Sequence, residues 1–308
     1  MRYLLCRTFP PRIGVHLIRT TGESQRMKLV RFGPKGREKP GILDKNGIVR
    51  DLSRIVPDIT PETLADGALA KIKKAKIADL PAAPKSARLG PCIGYTHNFI
   101  AIGLNYIDHA KETNSPIPKE PIIFNKAPNC LSGPNDDVVI PKNSKKTDWE
   151  VELAVIIGRG GSYIPEDKAL AAVAGYALCN DVSEREFQQE RGGQWTKGKG
   201  CPTFGPLGPW FVTRDEIKDV QNLDMFLDVD GVRRQTGSTS TMIFGVAHLV
   251  SYCSQFFRLD PGDVITTGTP PGVGMGQKPP VFLKGGEKIH LGIAGLGEQT
   301  QKVVKYKA

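Results

Sequence analysis

The stretch Thr147-Asp148-Trp149-Glu150-Val151-Glu152-Leu153-Ala154-Val155-Ile156-Ile157 joins two closely spaced glutamates to a long apolar run. The run predicts a β-strand. Alternate side chains of a strand point to the same face, so this strand would project Glu150 and Glu152 side by side. The apolar tail is typical of a strand that is buried on both faces at its far end.

Two carboxylates this close repel each other unless a positive charge lies between them. A hard divalent cation is the natural partner at the mouth of a buried strand, although a solvated strand end is the simpler interpretation of an isolated Glu-Val-Glu. Asp181 follows the strand-like segment Gly175-Tyr176-Ala177-Leu178 and offers a third carboxylate. Alone it would be a helix cap or a turn residue. With Glu150 and Glu152 it predicts an all-oxygen metal site with open positions for water or substrate.

The composition argues against several classes of protein. A chain of 308 residues can bury a large core, and no apolar run approaches the length of a membrane span. The six cysteines include no Cys-x-x-Cys pair, which favours reduced thiols in a cytoplasmic protein over disulfides or a zinc site. The net charge of +10 comes without a basic run interleaved with aromatic residues. We therefore expect small anionic substrates as partners, and neither nucleic acid nor membrane.

The chain is predicted to divide into three parts. Residues 1–26 carry five arginines against one glutamate and lack clear strand or helix signals. We expect the fold to begin at Met27 and interpret residues 1–26 as an upstream extension, with an organelle transit peptide as the alternative. Residues 27–95 are predicted to form a small N-terminal domain, and residues 96–308 the catalytic domain.

The local patterns predict a mostly β protein of the α+β class. The order of elements has no regular βαβ alternation, so we do not expect a doubly wound parallel sheet. Asn46-Gly47 and Asp230-Gly231 are typical of hairpin turns. Helices are predicted over residues 61–76, 165–174 and 241–257.

Three further groups of residues suggest chemistry. His109 and Glu112 are three positions apart, so a helix would place them on one face, where a carboxylate can orient an imidazole as a general base. A surface ion pair is the alternative. Lys199 is either a solvated loop lysine or a ligand for a substrate oxyanion. The loop Gly268-Thr269-Pro270-Pro271-Gly272-Val273-Gly274 is a poor phosphate cradle, because prolines donate no N–H. It predicts close backbone approach to a small ligand, with Thr269 offering its hydroxyl.

Five segments taken together resemble the fumarylacetoacetate hydrolase family. They are Gly103-Leu104-Asn105-Tyr106-Ile107-Asp108-His109-Ala110-Lys111-Glu112, Trp149-Glu150-Val151-Glu152, Asn180-Asp181-Val182-Ser183-Glu184-Arg185, Gly198-Lys199-Gly200 and Thr267-Gly268-Thr269-Pro270-Pro271-Gly272-Val273-Gly274. Each segment is short, but their order between residue 98 and the C-terminus is specific. Cys201-Pro202 departs from the aromatic-acidic pair of many relatives and alters the expected shape of the pocket.

The resemblance implies a core of rolled, mixed β-sheets packed as a sandwich, and assembly as a homodimer. It implies Mg²⁺ or Mn²⁺ at the mouth, with Ca²⁺ as a substitute in a crystal. By resemblance Glu150, Glu152 and Asp181 bind this metal, and His109 with Glu112 activates water. A further set of residues would hold the substrate or its developing charge: Lys199, Arg185, Gln188, Gln235 and Thr269.

The expected reaction is hydrolysis of a C–C bond in a 2,4-diketo acid, giving pyruvate and a second acid. Segments 276–283 and 292–297 resemble the branch that acts on diketo deoxy sugar acids, whose members are often named ureidoglycolate lyase. That lyase activity therefore stays open as an alternative. Oxaloacetate decarboxylation and isomerisation of an unsaturated keto acid would use the same metal without the water. A non-enzymatic binding protein is the most distant alternative.

Overall fold

The computed structural model describes residues 27–307, and the predicted upstream extension lies outside them. The fold is mostly β, as the sequence predicted. Its strands are β1 (Lys28–Phe32), β2 (Lys39–Leu43), β3 (Val49–Asp51), β4 (Phe99–Gly103), β5 (Ile122–Lys126), β6 (Leu131–Ser132), β7 (Val138–Ile140), β8 (Thr147–Asp148), β9 (Val151–Ile157), β10 (Val173–Asn180), β11 (Ser183–Glu184), β12 (Gly205–Thr213), β13 (Asp224–Val229), β14 (Val232–Ser238), β15 (Val264–Thr266), β16 (Lys288–Ile293) and β17 (Gly297–Lys305).

The strands of the described residues form three sheets, of which the two larger ones are mixed. The largest has ten strands in the order β3-β2-β1-β12-β10-β9-β15-β4-β5, with β6 attached to β12. A second sheet has the order β14-β13-β16-β17-β7, and β11 pairs with β8. Most pairs are antiparallel, while β15–β4, β12–β6 and β17–β7 are parallel. The three parallel pairs join strands that are distant in the sequence, so they need no repeated βαβ units.

The helices are short and lie between the strands. They are α1 (Pro61–Ala65), α2 (Ala68–Lys73), α3 (Ile107–Glu112), α4 (Glu166–Ala172), α5 (Thr196–Lys199) and α6 (Val246–Cys253). A π-helical turn spans Glu186–Glu190, and single 3₁₀ turns cover Ile77–Asp79, Pro128–Cys130, Arg214–Glu216, Thr239–Thr241 and Gly274–Gly276. Both predicted hairpin turns are present, because β2–β3 and β13–β14 are antiparallel pairs on either side of them.

The prediction of one continuous helix over residues 61–76 is wrong. The segment is divided into α1 and α2 at Gly67, whose φ of 75° is left-handed and ends the first helix. The helix over residues 165–174 is also shorter than predicted, because Val173 already joins β10. Gly175 lies inside that strand, where a Cβ would come within 2.1 Å of the Val212 carbonyl oxygen.

The predicted helix over residues 241–257 is wrong at both ends. Asn105 takes the backbone amides that would have continued the helix: its carbonyl accepts from Ile243 N at 2.8 Å, and its side-chain Oδ1 accepts from Phe244 N at 2.9 Å. The regular helix therefore begins only after Gly245 and ends at Cys253. A tertiary contact overrides the local periodicity here.

Strand β9 lies in the middle of the main sheet, between β10 and β15. Its residues are all buried, and its side chains alternate between two cores. Leu153 and Val155 pack into one core, and Ala154 and Ile156 into the other. The prediction of a strand buried on both faces is confirmed, and this rigid strand fixes the position of the glutamates at its start.

The N-terminal strands are continuous with the main sheet. Lys28 and Leu29 of β1 pair with Val212 and Phe211 of β12. Leu29 shares a buried core with Phe211 and with Ile156 of β9. Within residues 27–307, none of the helices has the length and apolar character needed to cross a membrane.

Candidate active site

Three buried carboxylates converge at the ends of β9 and β10. Glu150 immediately precedes β9, Glu152 lies within it, and Asp181 follows β10. The Asp181 amide donates to the Glu150 carbonyl at 2.9 Å, which continues the pairing of the two strands and brings the acids together. Each residue offers an oxygen within 4.8 Å of the others, and the side chains are at most 5 % exposed.

Two lysines neutralise part of this negative charge. Lys199 Nζ lies 2.6 Å from Glu150 Oε2 and 2.7 Å from Asp181 Oδ2. Lys126 Nζ lies 2.5 Å from Asp181 Oδ1 and donates to the Lys199 carbonyl oxygen at 2.5 Å. Burial alone would lower the pKa of Lys126, but the neighbouring Asp181 carboxylate raises it above its ordinary value. The Lys126 ammonium is therefore charged at neutral pH.

Arg185 spans the other side of the carboxylates. Its Nη2 donates to Glu150 Oε1 at 2.6 Å and its Nε to Asp148 Oδ2 at 2.8 Å. Its Nη1 donates to Gln188 Oε1 at 3.0 Å. Burial would raise the pKa of Glu150, yet Lys199 and Arg185 hold it well below its usual range.

Glu152 differs from its neighbours because it contacts backbone N–H rather than a cation. The Gly268 amide donates to its Oε2 at 2.9 Å. Burial, followed by the charges of Asp181 and Glu150, raises the pKa of Glu152 well above its ordinary value of 4.5. The carboxyl group is electrostatically undercompensated in this arrangement.

The donor set fits a hard divalent cation. Four acids, Asp148, Glu150, Glu152 and Asp181, face three cations, Lys126, Arg185 and Lys199, so ionisation of all four acids leaves one negative charge for a cation to neutralise. Clustered carboxylate oxygens are the ligands that Mg²⁺ and Mn²⁺ prefer. The structure therefore brings together the three residues that the sequence nominated as metal ligands.

His109 and Glu112 form a pair on α3. Glu112 Oε2 lies 2.9 Å from His109 Nδ1, and Glu112 Oε1 accepts from the Gly272 amide at 2.9 Å. His109 is 7 % exposed and lines the same cavity as Glu150 and Glu152. The pair is partly buried and not a surface ion pair, so its geometry suits an oriented imidazole.

The cavity has a volume of about 190 Å³ and is lined by both polar and apolar side chains. Its polar lining includes His109, Glu150, Glu152, Arg185, Gln188, Lys199 and Thr269. Its apolar lining includes Ile102, Ile122, Phe124 and Trp195. The Trp195 ring lies 5.2 Å from the Phe124 ring and covers Gly103, where a Cβ would come within 2.5 Å of the indole.

Gln235 lies behind the cavity lining. Its Oε1 accepts from the Val151 amide at 3.0 Å, and its Nε2 donates to Thr269 Oγ1 and to the Pro270 carbonyl, each at 2.8 Å. These contacts suit a residue that holds Thr269, which does line the cavity. A direct substrate contact from Gln235 stays a prediction.

Sequence reasoning missed Lys126, Asp148 and Trp195. Lys126 ends β5 and Asp148 ends β8, and nothing in their local sequence distinguishes them from solvated residues. Both are fully buried through partners distant in sequence. The position of Asp148 two residues before Glu150 does not reveal its Arg185 partner, which lies 37 positions later.

Comparison with known proteins decides the family. The family model described as "Fumarylacetoacetate (FAA) hydrolase C-terminal" matches residues 98–304 of the chain. The chain belongs to the fumarylacetoacetate hydrolase family. A relative from Burkholderia orbicola, provisionally named a hydrolase, is 58% identical over 277 residues, or 90% of this chain and 98% of that protein.

Two solved structures of this family show the same fold. Maleylpyruvate hydrolase from Sphingobium sp. SYK-6, in complex with manganese(II) ion and pyruvate, aligns with a TM-score of 0.77 at 28% identity, covering 91% of this chain and 100% of that chain. The 5-carboxymethyl-2-hydroxymuconate delta-isomerase from Mycobacterium smegmatis aligns with a TM-score of 0.72 at 30% identity, covering 92% and 100%. Family and relatives indicate an enzyme with hydrolase or isomerase activity.

Proposed function

We propose that this enzyme is a metal-dependent hydrolase that cleaves a C–C bond in a 2,4-diketo acid, of the diketo deoxy sugar acid type. The products would be pyruvate and a second organic acid. One observation carries the proposal: two of the three clustered carboxylates, Glu150 and Glu152, line the same cavity as His109, whose Nδ1 contacts Glu112. A hydrolase of this kind needs a cation for the keto acid and a base for water.

Glu150, Glu152 and Asp181 would hold the metal. When bound, Mg²⁺ or Mn²⁺ supplies Lewis acidity that stabilises negative charge on an oxygen of the keto acid. The structure of the Sphingobium hydrolase contains a manganese(II) ion and pyruvate. By analogy, the ion supports the divalent metal, and pyruvate supports the keto acid as its partner. The raised pKa of Glu152, caused by burial and by the charges of Asp181 and Glu150, independently supports a cation at this position.

His109 would take a proton from water. Glu112 engages Nδ1 at 2.9 Å, which fixes the ring and leaves Nε2 as the acceptor. The hydroxide equivalent would add to the C4 carbonyl carbon of the substrate. Base assistance of this kind contributes about a hundredfold to ten-thousandfold in rate.

Lys199 and Gln188 would stabilise the oxygen anion that forms at C4. The Lys199 ammonium lies in the cavity lining, next to Glu150. Arg185 uses Nη1 to hold Gln188 Oε1, an arrangement that orients the Gln188 amide N–H groups as donors. Arg185 itself is occupied by Asp148, Glu150 and Gln188, so these contacts favour an orienting role.

Collapse of the C4 adduct would break the C3–C4 bond. The C4 carbon leaves as a carboxylic acid, and the C1–C3 fragment leaves as the enolate of pyruvate. Return of the proton from His109 to C3 completes pyruvate and regenerates the base. One water is consumed and two acids form.

Isomerisation of an unsaturated keto acid is the second candidate. The Mycobacterium smegmatis delta-isomerase supports it, because its fold covers 92% of this chain. Such a reaction needs a proton shuttle and enolate stabilisation, but no attacking water. The same cavity could serve it, with His109 moving a proton between two carbons.

Product analysis distinguishes the candidates. Purified enzyme is incubated with a 2,4-diketo acid, oxaloacetate and an unsaturated keto acid, each with chelator and with Mg²⁺ or Mn²⁺. We expect pyruvate and a second acid in equal amounts from the diketo acid, only with metal. Formation of an isomer alone, of carbon dioxide alone, or of no product from any diketo acid would contradict the proposal.

A further inference from the structure

The segment 272–276, here called the glycine loop, contacts two carboxylates, Glu112 and Asp148, each of which binds a residue that lines the cavity. On one side the Gly272 amide donates to Glu112 Oε1 at 2.9 Å. The other oxygen of Glu112 faces His109 Nδ1. The glycine loop and the imidazole therefore hold the two ends of one carboxylate.

On the other side the glycine loop binds Asp148. The Gly274 amide donates to Asp148 Oδ1 at 2.6 Å, and the Met275 amide donates to Oδ2 at 3.1 Å. Oδ2 also accepts from Arg185 Nε at 2.8 Å. Asp148 is fully buried, so its bonds to Gly274 and Arg185 form away from competing water.

Gly274 and Gly276 lie so close to these acids that a side chain at either position would collide with its neighbours. A Cβ at Gly276 would lie 2.8 Å from Glu112 Cδ and 3.0 Å from both carboxylate oxygens. A Cβ at Gly274 would lie 2.0 Å from the Val281 carbonyl oxygen and 2.7 Å from Asp148 Oδ1. Close approach to Glu112, and not backbone conformation, explains Gly276, because it is absent from the glycines with positive φ.

We propose that the glycine loop is a positioning element that sets the orientation of His109 through Glu112. Asp148 anchors the loop to the side of the cavity that holds Arg185, and Gly276 provides the room in which the Glu112 carboxylate lies. The role of His109 as base rests on the function proposed above. The orientation of His109 does not depend on the proposed function, and it can be measured without a substrate.

Gly276→Ala tests this inference, with Gly161→Ala as the matched control. A Cβ at Gly161 would meet only Ile164, at 3.4 Å or more, and Gly161 also has no positive φ. The variants are labelled with ¹⁵N-histidine, and the His109 ring signals are assigned by their loss in His109→Gln. The full chain has five histidines, so the spectrum is simple.

Displacement of Glu112 should change the ¹⁵N shifts of the His109 ring nitrogens. We expect Gly276→Ala to shift them in the direction given by Glu112→Ala, while Gly161→Ala leaves them as in the wild type. Wild-type shifts in Gly276→Ala, in a protein that remains folded by circular dichroism, would overturn the inference whatever the reaction is. If Gly276→Ala fails to fold, the double variant with Glu112→Ala should fold, because its added methyl meets no carboxylate. Failure of both variants to fold would overturn the inference.

A double-mutant cycle separates positioning from general damage. Gly276→Ala alone should lower kcat about a hundredfold, since small misplacements of a reacting group cost that much, with little change in metal affinity. In the Glu112→Ala background the added methyl meets no carboxylate, so Gly276→Ala should cause no further loss. Multiplicative losses in the cycle would contradict action through Glu112. If the wild type hydrolyses no diketo acid, only the proposed function fails, and the histidine spectra decide this inference.

Discussion

Glu152 is the residue on which the metal assignment depends most. It is 1 % exposed and has a backbone amide as its hydrogen-bond donor, while Glu150 and Asp181 contact lysine. Its pKa is raised well above 4.5 by burial and then by the neighbouring carboxylates. A cation that enters the site would favour the charged form and displace a proton, so metal affinity should rise with pH.

Glu152→Gln should stabilise the metal-free protein at neutral and higher pH. A carboxyl group whose folded pKa is raised contributes stability below its unfolded value of about 4.5, and this contribution is lost as pH rises through the folded value. The neutral amide has no such loss. Denaturant unfolding with chelator should therefore show a wild-type deficit that grows between pH 5 and pH 8.

Addition of Mn²⁺ at pH 8 should reverse this order, because only the wild type retains all three carboxylates. Glu298→Gln is the control, since Glu298 is an acid on β17 outside the cavity lining. An equal metal-induced stabilisation of wild type and Glu152→Gln would exclude Glu152 as a ligand.

Substitution of the His109–Glu112 pair should separate hydrolysis from enolate chemistry. His109→Ala or Glu112→Gln should lower diketo-acid hydrolysis by about a hundredfold to ten-thousandfold, because both remove the activation of water. Any oxaloacetate decarboxylation should fall much less, since it needs chiefly the cation. Metal binding, followed by calorimetry, should be unchanged. Equal losses in both reactions would show that the His109–Glu112 pair does not act by activating water.

The residue scale also shows what the sequence could predict of the site. The i, i+2 spacing of Glu150 and Glu152 and the i, i+3 spacing of His109 and Glu112 depend only on local geometry, and the structure brings each pair together. Lys126 could not be predicted. Its burial depends on Asp181, 55 positions later, and a lysine at the end of a strand is ordinarily solvated.

At the scale of elements, the cavity is a meeting of short segments from distant parts of the chain. β9 and β10 supply the acids, α3 the imidazole, and α5 with the preceding π-helical turn supplies Lys199 and Gln188. These segments are too short to be stable alone, so tertiary contacts fix them. The helix wrongly predicted over residues 241–257 shows the same effect, because Asn105 takes two of its amides.

The contact between Trp195 and Gly103 predicts a determinant of substrate binding. Trp195→Ala should raise KM about tenfold through lost apolar contact worth about 1.4 kcal/mol, with metal affinity unchanged. Gly103→Ala should act in the same direction, because its methyl displaces the indole. Steady-state kinetics on diketo acids with apolar and hydroxylated tails would measure the effect. An unchanged KM for substrates with every kind of tail would show that the substrate does not contact Trp195.

At the scale of the whole molecule, the N-terminal strands and the catalytic body share a sheet and a core. The sequence predicted separate parts on either side of residue 95, but long-range pairing such as β1 with β12 cannot be inferred from local patterns. A boundary between domains there stays a prediction. The mostly β class was predictable because turn residues and alternating patterns are local.

Leu29→Ala tests how far this core is shared. Leu29 is fully buried against residues of the catalytic body, so its truncation should lower the free energy of unfolding by about 2–5 kcal/mol. Unfolding followed by tryptophan fluorescence and by circular dichroism should remain a single transition. Val232→Ala is the control, because Val232 is 52 % exposed. Two separate transitions would show that residues 27–95 unfold as an independent unit.

The central claim is that three carboxylates hold the cation that makes diketo-acid cleavage possible. The most direct measurement is pyruvate release by metal-stripped enzyme as Mn²⁺ is added, with bound Mn²⁺ followed in the same samples by electron paramagnetic resonance. The account predicts no release before addition, and a rate that rises in proportion to bound Mn²⁺ up to one ion per chain. Full release of pyruvate from the stripped enzyme, or binding of Mn²⁺ without any gain in rate, would contradict it.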